Sequence, residues 1–255
     1  MSSAVSDLVA QHNVHLDTFA PKRILMVVAN PGMHPTMHYP VGFWAAELAH
    51  PWYEFTEAGF SVTVASPKGG NVQVDGLSDP RDDSKWSITD ILSLGFLTSP
   101  LTASLLEDTP ALGTLDLAEF DAMAVAGGQS PMFSFRDDAT LHAAMRTFYE
   151  SKRVLAAYCH GTSALVDLKL SDGSYLVAGK TVTGFANVEE DYSDAFVGQK
   201  LMPWRVEDAL KERGANYVQG GLFKQFVVRD RNLITGQQQY SGREVARAII
   251  AALGA

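Results

Sequence analysis

The sequence predicts an α/β fold: a three-layer sandwich with a mostly parallel central sheet and helices on both faces. Two observations carry this. Apolar runs at ILMVVAN (24–30), FDAMAVAGG (120–128) and RVLAAY (153–158) are short, nearly continuous and end in turn residues. Strands buried on both faces have that pattern. Longer stretches with helical spacing lie between them, and such alternation requires crossover connections and hence parallel strands.

Taken in order, residues 1–22 read as an N-terminal arm with one short helix around Asp7 to Gln11, and folding proper begins at Arg23. After the first strand, VGFWAAELAHPWYEFTEAG (41–59) reads as a helix closed by Gly59, with Pro51 inside it. FSVTVAS (60–66) is a second strand, stopped by PKGG. Residues 71–118 hold polar turns and then helices inserted between strands. DDATLHAAMRTFYESK (137–152) is a helix whose Asp137 and Asp138 suit the positive end of its dipole. A helix from Thr162 to Leu168 follows RVLAAY. Then come TVTGF (181–185), a helix near Trp204 to Arg213, strands around Phe226–Val228 and Asn232–Thr235, and a closing helix from Arg243. With no repeat and no linker, residues 23–255 read as one domain.

Apolar residues make up 46% of the chain and charged residues 19%, an ordinary globular balance. The net charge of -9 argues against nucleic acid as a partner, because phosphate binding needs clustered Lys and Arg. It gives no attraction to an anionic membrane surface either. The first residues lack the basic start and apolar run of a secretory signal, and no stretch reaches the roughly 20 apolar residues that span a bilayer. A lone cysteine permits no intrachain disulfide and suits a reducing, cytoplasmic setting.

RVLAAYCHGTSALVDL (153–168) carries the chemistry. A strand ends at Tyr158, and Cys159 stands at the turn into a helix, an elbow that lifts a nucleophile above the carboxyl end of a sheet. A helix N-terminus behind it is expected to lower the thiol pKa. His160 can move a proton, and Gly161 permits a tight turn. By itself a lone cysteine is more often a small buried hydrophobe; the elbow and the adjacent histidine favour a nucleophile. Gly127 and Gly128 end a strand, where their N–H groups can approach an oxyanion. His34 and His38, in the loop NPGMHPTMHYP, are expected to line the pocket. A proline-containing loop does not hold them as a zinc-protease helix would, so no metal is expected. Nucleotide-binding glycine patterns are absent, and no cofactor is expected.

These motifs, GFWAAELAHPWYEFTEAGFSVTVASPKGG, AVAGGQSPMF, CHGTSALVDLKLSDGSYLVAGKTVTGF and NLITGQQ, resemble the ThiJ/PfpI superfamily from about Arg23 onward. That family has the flavodoxin-like, class I glutamine amidotransferase-like fold. The resemblance is to its branch of heat-shock chaperones and cofactor-independent glyoxalases. It implies Cys159 as nucleophile, His160 as its partner and Glu47 as the carboxylic acid beside the thiol. Glu190 best fits the acid that orients His160, with Glu189 and Asp191 as neighbouring alternatives. Gly127, Gly128, Gln129 and Trp44 would contact substrate. Where the glyoxalase branch reads Gly-Gly-His-Gly, this chain has Gly127-Gly128-Gln129-Ser130, and His34 or His38 would supply the missing imidazole. The implied activity converts methylglyoxal or a related 2-oxoaldehyde to a hydroxy acid, without cofactor, in a homodimer. A hydratase or hydrolase acting on an isocyanide or amide, with Phe43, Trp44 and Trp52 shaping another pocket, is the second expectation. A holding chaperone or redox sensor is the third.

Overall fold

The computed structural model describes residues 21–254, so the helix expected near Asp7 to Gln11 lies outside the described residues. Six strands form the main sheet: β1 (Arg23–Val27), β2 (Ser61–Ala65), β3 (Ala122–Val125), β4 (Val154–Tyr158), β5 (Val227–Asp230) and β6 (Leu233–Gly236). Their order is β2-β1-β3-β4-β6-β5, parallel throughout except for the β5 edge, which runs antiparallel to β6. The α/β prediction therefore holds, including the mostly parallel sheet.

The longer helices are α1 (Ala45–Glu57), α2 (Ile91–Thr98), α3 (Ala139–Glu150), α4 (Asn187–Val197), α5 (Val206–Glu212) and α6 (Gly242–Leu253). Side chains alternate across a strand, so the apolar runs feed two cores. Ile24, Met26, Ala124 and Ala156 pack toward Leu48, Phe55, Phe96 and Ile249 of α1, α2 and α6. Leu25, Val27, Val125 and Leu155 face the other way, toward Leu141, Met145, Phe148 and Leu210 of α3 and α5. Polar residues interrupt these strands little because neither face meets water. Asp138 caps α3 by accepting the Leu141 N–H at 2.8 Å.

Two local readings change. Thr181–Val182 does not join the main sheet but pairs in parallel with Asn216–Tyr217. The helix expected over Thr162 to Leu168 is a 3-10 turn, Cys159–Thr162, followed by a single helical turn, Ser163–Val166. The Thr162 hydroxyl donates to the Cys159 carbonyl at 2.6 Å, and Ser163 Oγ donates to the Pro131 carbonyl at 3.1 Å. Such side-chain bonds to backbone compete with a regular helical ladder. Among the described residues no helix is long and apolar enough to cross a membrane.

Candidate active site

The site is built at the carboxyl ends of β3 and β4. Cys159 adopts φ +52, a left-handed conformation that costs an ordinary residue about 1 kcal/mol. Gly161 makes the turn possible by close approach: a Cβ there would sit 2.5 Å from the Val125 carbonyl oxygen and 2.8 Å from that of Ala126. Gly128 is equally constrained, with φ +111 and the backbone of Phe43 and Trp44 where a Cβ would go. The chain is thus folded tightly around a buried sulfur.

Glu47 comes to that sulfur from the first turn of α1. It is fully buried, and its Oε2 accepts the Gly127 N–H at 2.6 Å. Pro51 has a part in this. A proline has no N–H to give to the carbonyl four residues earlier, which here is that of Glu47. The Tyr158 hydroxyl fills the gap, donating to the Glu47 carbonyl at 2.7 Å. The residue before Cys159 is thereby tied to the backbone of Glu47. Burial pushes the Glu47 carboxyl up to about 8, opposed by the Cys159 thiol and the Gly127 N–H and reinforced by Asp75. Its Oε1 is buried without a hydrogen-bond partner of good geometry, yet the carboxyl and the thiol perturb one another.

The thiol does not show the lowered pKa expected of a helix N-terminus. Burial, then the Glu47 charge, push Cys159 well above the ordinary thiol range, and only the His160 backbone N–H opposes them. One short helical turn supplies little dipole, so desolvation wins. Both shifts favour the protonated forms of Cys159 and Glu47.

His160 Nε2 lies 2.9 Å from Glu190 Oε1, and both residues are buried. A neutral imidazole donating Nε2–H to that carboxylate keeps the Nδ1 lone pair free to act as a base. Arg205 backs the carboxylate, with Nη1 3.6 Å from Glu190 Oε2 and Nη2 at 2.9 and 2.8 Å from Asp191 and Asp194. The alternatives to Glu190 point elsewhere. Glu189 accepts from the Ala186 N–H, the Phe223 N–H and Gln237 Nε2, at 3.0, 3.0 and 2.8 Å. The Asp191 side chain is 72% exposed.

A cleft above these groups takes in Cys159, His160, Glu190, Gly128, Gln129 and Trp44. Gly127 is not free to stabilise an oxyanion, because its N–H is held by Glu47. The Gly128 N–H has no partner among the described residues. His34 and His38 do not line the cleft, contrary to expectation. His34 is buried between its own loop and the segment at Leu201: Nε2 donates to the Leu201 carbonyl at 2.8 Å, Nδ1 accepts the Met37 N–H at 3.2 Å, and the ring stacks on Tyr39. His38 is exposed and returns its N–H to the His34 carbonyl. Phe43 and Trp52 also stay out of the cleft. Phe43 is core, and Trp52 packs on Tyr53 and Phe96.

Gln129 occupies the position of the missing histidine. The Tyr39 hydroxyl donates to its Oε1, which leaves Nε2 as the amide's donor without a protein acceptor among the described residues. Asp75, which sequence reasoning missed, fixes the loop beneath it. This fully buried carboxylate accepts the Gly42 N–H at 2.8 Å and the Gln129 N–H at 2.7 Å. Burial lifts it to about 7 against those two bonds. Its Asp-Gly context signalled only a turn. Tyr192, Phe196, Trp86 and Phe223 also line the cleft, and nothing local in the sequence marked them. Among the described residues no group of three His, Cys, Asp or Glu side chains is placed to hold a metal.

Residues 39–252 match the model of the DJ-1/PfpI family. The chain belongs to the DJ-1/PfpI family. A family relative in Schizosaccharomyces pombe, named probable glutathione-independent glyoxalase hsp3103, is 29% identical over 236 residues, covering 83% of this chain and 90% of the relative. Glyoxalase 3 of Candida albicans is 25% identical over 218 residues, covering 83% and 89%. Among solved structures, the 24 kDa rapid encystment protein of Francisella tularensis superposes with a TM-score of 0.83 at 28% identity, over 92% of this chain and 100% of that one.

Proposed function

We propose that this protein is a glutathione-independent glyoxalase that converts 2-oxoaldehydes to 2-hydroxy acids. The observation that carries the reading is the buried Cys159–Glu47 pair, at one end of a cleft that also holds the His160–Glu190 pair. The names of the fungal relatives support it. As the Cys159 sulfur bonds to the aldehyde carbon, His160 Nδ1 takes the thiol proton and Glu47 gives its own to the aldehyde oxygen; the histidine then gives up its proton to restore the Glu47 carboxyl, leaving a neutral hemithioacetal and a free Nδ1 lone pair. His160 then moves the proton of that carbon to the neighbouring ketone carbon through an enediol, which produces a 2-hydroxy thioester. Water cleaves the thioester, releasing the hydroxy acid and restoring the thiol. The reaction is redox-neutral overall and consumes one water. Gln129 Nε2 donates to the ketone oxygen, the work a histidine would do in the related motif, and the Gly128 N–H faces the developing oxyanion. A cytoplasmic setting and a homodimer belong to the same proposal, supported by the single cysteine and by the family resemblance.

The test is to incubate the purified protein with methylglyoxal, without glutathione, and quantify lactate. Catalytic lactate formation supports the reading, and its absence from folded protein at any substrate concentration overturns it. Glu190 acts through His160, so Glu190→Gln is expected to lower kcat by about 10²-fold, with a smaller change in KM. Steady-state kinetics across pH would check this; a Glu189→Gln variant that lost more turnover without losing stability would move the role to Glu189.

A further inference from the structure

The walls of the cleft are more apolar and more aromatic than methylglyoxal requires. Trp44, Trp86, Phe185, Tyr192, Phe196 and Phe223 line it, and among the described residues no lysine or arginine does. The charged side chain at its wall is Glu190, already paired with His160. At the mouth, Trp86 from the loop after β2 meets Phe196 from the last turn of α4, with ring centroids 4.6 Å apart. These two rings are 39% and 58% exposed. Large aromatic side chains left open to water at the rim of a catalytic cleft mark a surface that a ligand covers. Tyr192, one turn earlier on α4, is also half exposed and sets its ring edge-on to Phe223 at 5.3 Å.

The chemistry of these walls restricts the substrate. A phosphorylated or carboxylated 2-oxoaldehyde would bring its anion next to Glu190 with no cation in the wall to meet it. A methyl group would leave the Trp86–Phe196 pair uncovered. Resting on the glyoxalase reading, we infer that the cleft is built for a neutral 2-oxoaldehyde whose ketone carbon carries a flat apolar group, an arylglyoxal. The aldehyde carbon faces Cys159, the ketone oxygen faces Gln129, and the aryl ring seats against Trp86 and Phe196. These two residues determine specificity and take no part in the bond changes.

The experiment compares phenylglyoxal, whose product is mandelate, with methylglyoxal, whose product is lactate. It is run in the wild type, Trp86→Ala and Phe196→Ala, at pH 7 and without glutathione. The wild type is expected to prefer phenylglyoxal in kcat/KM by about tenfold or more, the scale on which apolar pockets discriminate added carbons. Each substitution is expected to reduce that preference by about fivefold. Equal kcat/KM values, or a preference that neither substitution moves, would overturn the inference. A second measurement separates it from the reaction itself: binding of acetophenone, which lacks the aldehyde, to Cys159→Ala protein by calorimetry. If neither aldehyde is turned over but acetophenone binds and Trp86→Ala weakens it, the aryl seat stands and the glyoxalase reading falls. If methylglyoxal is turned over but acetophenone does not bind, the reading stands and the aryl seat is refuted.

Discussion

Cys159→Ala is expected to lower kcat/KM for 2-oxoaldehydes by roughly 10³-fold or more, because it removes the thiol that forms the covalent intermediate. The fold should survive. The thiol is small, and its loss removes little of the packing that Gly161, Val125 and Ala126 provide around the turn. Cys159→Gly adds a test of the elbow itself. Alanine keeps the strain of φ +52, whereas glycine adopts that conformation freely. The glycine variant should therefore be more stable than the alanine variant by about 1 kcal/mol, read from urea denaturation midpoints. Equal stabilities would mean that the left-handed turn stores no strain. A more stable glycine variant would show that the left-handed turn stores strain.

The strands and the tight turn at Cys159 were legible because each is written locally. A run such as ILMVV has one physical solution, a strand covered on both faces, and Tyr158-Cys159-His160-Gly161 carries its turn within four residues. The rest was not local. Asp75 matters because the tertiary fold brings its carboxylate under Gly42 and Gln129, and a lone Asp-Gly pair says nothing about that. Trp86 and Phe196 meet only after the β2–α2 loop folds over α4. The histidine loop misled for a related reason. Residue type suggested a catalytic imidazole, but His34 spends both ring nitrogens on backbone groups, the Leu201 carbonyl and the Met37 N–H. The thiol misled through competition: the sequence shows a helix start that would lower its pKa, whereas burial, which raises it, appears only once the neighbours are in place.

Burial also gives Glu47 its distinctive behaviour, and Glu47→Gln is expected to lower kcat by about 10³-fold. A glutamine is nearly isosteric, and its Oε1 can still accept the Gly127 N–H, so the loss isolates the proton rather than the shape. Two pH profiles follow. In the wild type, kcat/KM should fall as pH rises past about 8, where Glu47 ionises and sets a negative charge beside the sulfur. That limb should be missing from the residual activity of the variant. Stability gives the second profile. The folded carboxyl holds its proton until about 8, against an ordinary value of 4.5, so the folded state binds the proton more tightly than the unfolded chain. Its stabilising contribution is full below about pH 4.5, falls as pH rises, and is gone above about pH 8. Asp75 acts with the same sign, but its contribution is largely lost by about pH 7. Between pH 7 and 8 the wild type should therefore lose about 1 kcal/mol more than Glu47→Gln, measured by denaturant unfolding at each pH. Parallel stability curves would mean that Glu47 is ionised throughout. The acid in the first step would then have to be another group, with His160 the nearest candidate, carrying the thiol proton to the aldehyde oxygen.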